Sequence, residues 1–145
     1  MGRKISPPRG AGLQRRRKTR RRARPLQGIF TWPGTGQIFS SGRDMARFLA
    51  ANLGTLPDQR DLQAAMALAQ QGVFKVNERF TQALAWQRVV NGDRLIVDKN
   101  GGLNITSTYI GMIPDARLGV VLLSNCGGEP ATRIGRQILH GHAGD

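Results

Sequence analysis

Cysteine is nearly absent from the chain, which holds one thiol, Cys126, in 145 residues. A single cysteine excludes an internal disulfide framework and a structural zinc site built on cysteine. No apolar run approaches the roughly 18 residues that a membrane-spanning helix needs, which excludes an integral helical membrane protein. Apolar residues make up 39% of the chain. That content suffices for one modest core and argues against two.

Acidic residues are absent from the first 26 positions, which carry 11 of the 22 Lys and Arg residues. The other 119 residues hold 11 basic and nine acidic side chains, so they are nearly neutral. The basic segment has too little apolar content to offset the entropy cost of ordering it. We therefore expect a disordered basic tail over residues 1–30 and a folded domain over 31–145. No apolar stretch follows the basic start, as a secretion signal would require.

The arginine-rich run at residues 15–24 allows three interpretations. It could bind the phosphate backbone of a nucleic acid through counterion release, or rest on an anionic membrane surface. No aromatic residue precedes Phe30 to stack on bases, and no nucleic-acid-binding motif occurs. The third interpretation is that the run has no selected role, since GC-rich DNA translated in an arbitrary frame yields this composition.

Start and stop signals predict three helices. The first is expected over 42–53, with Ser41 or Ser40 as its N-cap and Gly54 as its end. The second is expected over 57–72, and the third opens at Pro130. Apolar residues recur at helical spacing in the first helix: Met45, Phe48, Leu49 and Leu53.

Four strands are predicted after the second helix. Residues of alternating character indicate a strand over 83–90. The Asn-Gly pair at 91–92 is a strong signal for a hairpin, which predicts a partner strand over 94–98. A third strand is expected over 105–113. The fourth, over 118–123, is apolar enough to be buried on both faces. This order predicts an α+β fold, in which an antiparallel sheet carries flanking helices on one side.

Residues 99–114 read KNGGLNITSTYIGMIP, and a turn and an apolar strand ending in Asn125 follow. This stretch resembles the C-terminal part of the serine β-lactamase and penicillin-binding protein superfamily, most of all class C β-lactamases and D-alanyl-D-alanine carboxypeptidases. There, a strand with Lys-Thr-Gly is followed by a glycine-rich stretch, a strand ending in Ile-Pro, a charged turn and a strand ending in Asn. The segment 38–48 and Leu-Ala-Trp at 84–86 also resemble family segments. The resemblance covers about 34–142 and implies a partial β-lactamase/transpeptidase-like fold.

The resemblance implies roles for five residues at a substrate cleft. Lys99, at the family's motif lysine, would supply positive potential near the nucleophile and the substrate carboxylate. Asn100 replaces the motif threonine and would hydrogen-bond that carboxylate through its amide. Gly101 would let the substrate backbone approach, and the Gly102 amide would donate one hydrogen bond of the oxyanion hole. Asn104 would lie near the same cleft.

Three family elements do not occur in these 145 residues. The nucleophile of the family is a Ser in Ser-x-x-Lys, and none of the five serines has a lysine three positions later. Neither Tyr-x-Asn nor Ser-x-Asn is present, and 129–132 reads Glu-Pro-Ala-Thr where class C enzymes carry Asn-Pro-Ala-Arg. Without an activated nucleophile no acyl-enzyme forms. The expectation is therefore a truncated chain of a serine hydrolase family that is inactive alone.

The implied ligands are β-lactams or D-Ala-D-Ala peptides of peptidoglycan, which connect the family with antibiotic resistance. Two alternatives stay open: a polyanion-binding protein acting through 15–24, and pairing with a separate N-terminal fragment that carries Ser-x-x-Lys. No cofactor or metal site is predicted, because His140 and His142 are two positions apart and Cys126 has no acid–base partner nearby in sequence. The resemblance implies a periplasmic location, whereas the chain as given, without an export signal, would stay cytoplasmic.

Overall fold

The computed structural model describes residues 36, 38–103, 106–128 and 130–142, all within one compact unit, Gly36–Asp145. The described strands form one six-stranded antiparallel sheet in chain order. No helix of the described part is long and apolar enough to cross a membrane. The predicted tail over 1–30 and Asn104 lie outside the described residues. The elements are α1 (Gly42–Asn52), α2 (Arg60–Ala69), β1 (Gly72–Lys75), β2 (Phe80–Ala83), β3 (Gln87–Asn91), β4 (Arg94–Leu103), β5 (Thr106–Ile113), β6 (Leu118–Ser124) and α3 (Ala131–His142).

Helix α1 forms where the sequence predicts it, one residue shorter at its end. Ser41 Oγ accepts a hydrogen bond from the Asp44 amide at 3.2 Å, which satisfies one of the free N–H groups of the first turn. Gly54 follows the helix with a φ of +68°, a conformation suited to a residue without Cβ. Local signals are sufficient to define this helix.

The prediction for the second helix is wrong at both ends. Helix α2 begins at Arg60 because Asp58 has a φ of +58°, outside the right-handed helical region. Gly72 starts β1 instead of ending the helix. A Cβ there would lie 2.6 Å from Cγ2 of Thr81 on β2. The glycine therefore allows two strands to approach each other rather than stopping a helix.

The predicted single strand over 83–90 is wrong, since the structure divides it between two strands. The chain turns at 84–86, where Ala85 has a φ of +60° and the Ala83 amide donates to the Trp86 carbonyl at 2.9 Å. No Gly or Pro marks this turn, so the alternating pattern conceals it. Strands β1 and β2 therefore bring the sheet to six strands rather than four.

The Asn-Gly hairpin is confirmed, and the strands after it differ in detail from the prediction. Asn91 pairs with Arg94 across a two-residue turn in which Gly92 has a φ of +64°. Strand β4 then continues to Leu103, beyond its predicted end. Strand β6 lies at the edge of the sheet and its Leu123 is 53% exposed. The expectation that this strand is buried on both faces is therefore wrong.

Helices cover both faces of the sheet, not one side as predicted. Helix α1 packs on the face that presents Val97 and Met112. Helix α3 packs on the opposite face, which presents Ile96 and Tyr109. Strand β4 carries apolar residues at successive positions, so both of its faces are apolar and each requires a cover. The closing helix α3 is thereby held against the strands that carry the motif.

A Gly135→Ala substitution should destabilise the fold. A Cβ at this position would lie 2.1 Å from Cδ1 of Tyr109, a buried ring with no room to move. We expect the free energy of unfolding to fall by about 1–3 kcal/mol, measured by urea denaturation. Gly141→Ala in the same helix is the matched control, since nothing lies within 4 Å of its Cβ, and it should be as stable as the parent or slightly more stable. Equal stability of the two variants would contradict this packing.

Candidate functional site

The motif strand β4 has a free edge from Lys99 onward. Strand β3 pairs with β4 only as far as Gln87 opposite Asp98, whereas β5 pairs with β4 along to Leu103 opposite Thr106. Among the described strands, residues 99–103 are therefore paired on one side only. An open strand edge presents backbone N–H and C=O groups that an extended ligand can hydrogen-bond.

A cavity of about 620 Å³ lies at the end of this open segment. One wall comes from the sheet, at the facing ends of β4 and β5. The other wall comes from the loop before α3 and the first turn of that helix. The cavity is a cleft between the sheet and the closing helix. Its lining residues are Asn100–Leu103, Thr106–Thr108, Gly128 and Pro130–Thr132.

Three of the five predicted site residues line this cleft: Asn100, Gly101 and Gly102. Lys99 is exposed and adjoins them in β4, but it is not among the lining residues. Successive strand residues point to opposite faces. Lys99 pairs with Ile110 on the α1 face, and Asn100 pairs with Tyr109 on the α3 face. The lysine and the asparagine therefore project from opposite faces of the same strand, and their roles stay predictions.

An ion pair between a buried carboxylate and a half-buried guanidinium lies directly before the motif. The Asp98 carboxylate is fully buried and accepts two hydrogen bonds from Arg136, from Nε at 2.7 Å and from Nη2 at 3.2 Å. The Tyr109 hydroxyl donates to Oδ2 of the same carboxylate at 2.9 Å. Because Arg136 belongs to α3, this network connects the closing helix with the strand residue that precedes Lys99.

The environment of the network fixes the protonation of two of its members. Burial, reinforced by the neighbouring Asp98 carboxylate, raises the pKa of the Tyr109 hydroxyl far above its usual range. The hydrogen bond to Asp98 raises the pKa of Arg136 despite the partial burial of the guanidinium. The tyrosine therefore remains a hydrogen-bond donor and the arginine remains charged. No buried side-chain N or O atom of the described residues lacks a hydrogen-bond partner.

The sequence interpretation did not identify this network. A signal for part of it exists, since Asp98 follows four residues that include Leu95, Ile96 and Val97, and a carboxylate after an apolar run needs a partner. Nothing in the local pattern indicates that the partner is Arg136, 38 residues later. That pairing depends on which face α3 covers.

The described residues bring together no group of three or more His, Cys, Asp or Glu side chains that could hold a metal ion. His142 lies exposed in the last turn of α3, where Nδ1 is 3.0 Å from the Ile138 carbonyl oxygen. Cys126 is exposed in the loop after β6, where its amide hydrogen-bonds Ser124 Oγ at 3.1 Å. Neither residue is among those that line the cleft.

Comparison with known proteins identifies the family. The beta-lactamase family model matches residues 3–144, and the chain therefore belongs to the beta-lactamase family. A beta-lactamase of Psychrobacter immobilis is 27% identical over 119 residues, which cover 61% of this chain and 29% of that protein.

Solved structures agree with this assignment. The class C beta-lactamase of Rhodobacter sphaeroides superposes with a TM-score of 0.63 at 27% identity, covering 73% of this chain and 38% of its own. A beta-lactamase/D-alanine carboxypeptidase of Pseudomonas syringae gives 0.63 at 26% identity, covering 72% and 38%. The chain thus has the fold of the corresponding part of these proteins, and spans less than two fifths of their length.

The alkaline titration of Tyr109 tests the buried network. It is the single tyrosine of the chain, so the phenolate absorbance reports on it alone. Because its pKa is raised in the folded protein, the unfolded state loses its proton first, near the usual pKa of about 10. The free energy of unfolding should fall as the pH rises above about 10, and the phenolate should form only on unfolding.

The control for this titration is Tyr109→Phe. This variant should lose about 1–2 kcal/mol of stability at neutral pH, since the hydrogen bond to a charged group is removed. It should also lack the tyrosine contribution to the alkaline decline, measured by urea denaturation between about pH 8 and pH 11. A phenolate that forms near pH 10 in the folded parent protein would contradict the buried hydrogen bond.

Proposed function

We propose that residues 36–142 supply the sheet and closing-helix walls of a β-lactamase-type cleft. The cleft takes the carboxylate-bearing end of a β-lactam or of a D-alanyl-D-alanine peptide. The observation that carries the proposal is the coincidence of the motif with a cavity: Asn100, Gly101 and Gly102 line a cleft at an open strand edge. Family membership supports the ligand class, as does the name of the Pseudomonas syringae neighbour, a beta-lactamase/D-alanine carboxypeptidase.

The ligand lies along the free edge of β4 and exchanges main-chain hydrogen bonds with it. Glycine at position 101 lets the ligand backbone approach the strand closely. The Gly102 amide donates to the ligand's carbonyl oxygen. The Asn100 side-chain amide donates to the ligand carboxylate, in place of the hydroxyl that the family uses there.

Lys99 supplies the positive potential that attracts the ligand carboxylate. No carboxylate of the described residues forms an ion pair with it. The charge of Arg136, by contrast, is compensated by Asp98 at 2.7 Å. An uncompensated ammonium beside a cleft raises the local concentration of anionic ligands even without direct contact.

The proposal includes binding without turnover by these 145 residues alone. None of the five serines has a lysine at the third following position, so the general base of a Ser-x-x-Lys nucleophile is not encoded here. Binding and orientation of the substrate, without an activated nucleophile, do not provide most of the rate enhancement of such an enzyme. A separate fragment that carries Ser-x-x-Lys would complete the site, and its natural location would be the periplasm, where the family's ligands occur.

Ligand binding is tested by titrating the ¹⁵N-labelled chain with benzylpenicillin. Saturable shifts are expected at the amides of Gly101 and Gly102, while nitrocefin shows no hydrolysis above buffer. Asn100→Ala should weaken binding by about 10-fold, as for the loss of one hydrogen bond to a charged group. Gln71→Ala, which removes an exposed amide in the turn before β1, should bind as the parent does.

Saturable hydrolysis of nitrocefin by the purified chain would contradict the absence of turnover. Shifts confined to residues away from the cleft would contradict the assignment of the site. Equal weakening by Asn100→Ala and Gln71→Ala would remove the argument for the asparagine as a ligand contact.

The charge distribution supports a second candidate function, polyanion binding through residues 15–24. Residues 1–26 carry 11 basic and no acidic side chains, and removing them lowers the formal net charge from +13 to +2. Deletion of these residues should therefore lower the salt concentration at which the chain elutes from heparin, because each phosphate or sulfate contact releases a counterion. Unchanged elution, or retention that is insensitive to salt, would exclude this function.

A further inference from the structure

The two walls of the cleft are joined by one side-chain network that is centred on the buried carboxylate of Asp98. Asp98 immediately precedes the open segment of β4, and Arg136 lies one turn beyond Thr132, which lines the opposite wall. We propose that the pair of Asp98 and Arg136, together with Tyr109, is a positioning device that fixes the separation of these walls. The inference rests on the proposed binding function and adds specificity-determining residues to it.

The geometry of the pair suits positioning. Arg136 contacts both carboxylate oxygens of Asp98, at 2.7 and 3.2 Å, so the planar guanidinium fixes orientation as well as distance. The Asp98 side chain is 1% exposed, so water does not compete for its oxygens, whereas the Arg136 side chain is 32% exposed. The Lys75–Glu78 pair offers a contrast within the same chain, since its side chains are 62% and 91% exposed. An exposed pair of that kind does not hold two elements in one geometry.

Tyr109 sets the distance between helix α3 and the sheet. Its hydroxyl is bound to Asp98, and its ring is close to two glycines, Gly111 on β5 and Gly135 on α3. A Cβ on either glycine would lie less than 3 Å from the tyrosine side chain. The tyrosine ring therefore limits how closely α3 approaches the sheet, and the ion pair determines the rotation of the helix at that distance.

An ion pair that removes a carboxylate from water is a weak source of net stability, because desolvation offsets much of the attraction between the charges. Apolar residues would cover this part of the sheet at least as well. The directional contact instead specifies one arrangement of α3 on β4. Thr132 and Pro130 on the helix side, and Asn100 on the sheet side, are then presented at a defined distance to a ligand.

The test compares ligand affinity with stability in four variants of the full chain. Asp98→Asn and Arg136→Gln remove the ion pair, and Arg136→Lys keeps the charge but loses the two-point contact. Val97→Ala is the matched control, since Val97 is fully buried, adjoins Asp98 in β4 and faces α1 instead of α3. The probe is benzylpenicillin, followed by amide shifts, and stability is measured by urea denaturation.

We expect Asp98→Asn and Arg136→Gln to bind about 10-fold more weakly and Arg136→Lys about 3-fold more weakly. Val97→Ala should bind as the parent does although its stability is reduced. In the absence of ligand, only the variants of the network should shift the amides of both walls, at 100–102 and at 131–132. If Asp98→Asn does not fold, Arg136→Lys decides the test.

Two results would overturn the inference. One is parental affinity in a folded Asp98→Asn or Arg136→Lys variant. The other is weakening in Val97→Ala equal to that of the network variants, since affinity would then follow stability alone. Failure of the proposed binding function can be distinguished from failure of this inference, because the parent itself would then show no saturable shifts with benzylpenicillin. The amide shifts of the ligand-free variants would still report whether the network positions both walls.

Discussion

The charge of Asp98 is the constraint on which this part of the molecule depends. A carboxylate without access to water needs a cation and hydrogen-bond donors close to it, and among the described elements α3 and β5 provide them, through Arg136 and Tyr109. The helix must therefore lie on this face of the sheet in one rotation. Because β3 also ends its pairing at Asp98, the same residue marks the beginning of the open strand edge.

Local signals in the sequence predict those features whose causes are local. The N-cap at Ser41 and the Asn-Gly hairpin depend on a few consecutive residues, and both are present in the structure. The motif strand is indicated by its resemblance to the family rather than by local signals; Asn100, Gly101 and Gly102 of this strand line the cleft, and their roles stay predictions. The turn at Ala85 could not be predicted from local signals. A non-glycine residue with positive φ is held in that conformation by its surroundings rather than by its own preference.

Features that depend on distant residues could not be predicted. The successive apolar residues Ile96 and Val97 explain why both faces of the sheet are covered. A short apolar run, however, does not distinguish a strand buried on both faces from a buried helix, so the second cover could not be predicted from it. The contact between Asp98 and Arg136 spans 38 positions and two elements. Even the exposure of Leu123 is a property of strand order, because an identical sequence in the middle of the sheet would be buried.

Two cations adjoin the cleft region, and their surroundings assign them different tasks. Arg136 donates to both oxygens of a buried carboxylate, so the pair as a whole has little net charge and attracts a distant anion weakly. Lys99 is exposed, with no acidic partner among the described residues, so its field extends into solvent. A cation whose charge is neutralised by a fixed carboxylate attracts an anionic ligand only weakly. A cation without such a partner, on a flexible side chain, does not hold a helix in one position. The two cations thus differ in what they could contribute: Arg136 orients α3 on the sheet, and Lys99 is left free for the role proposed for it.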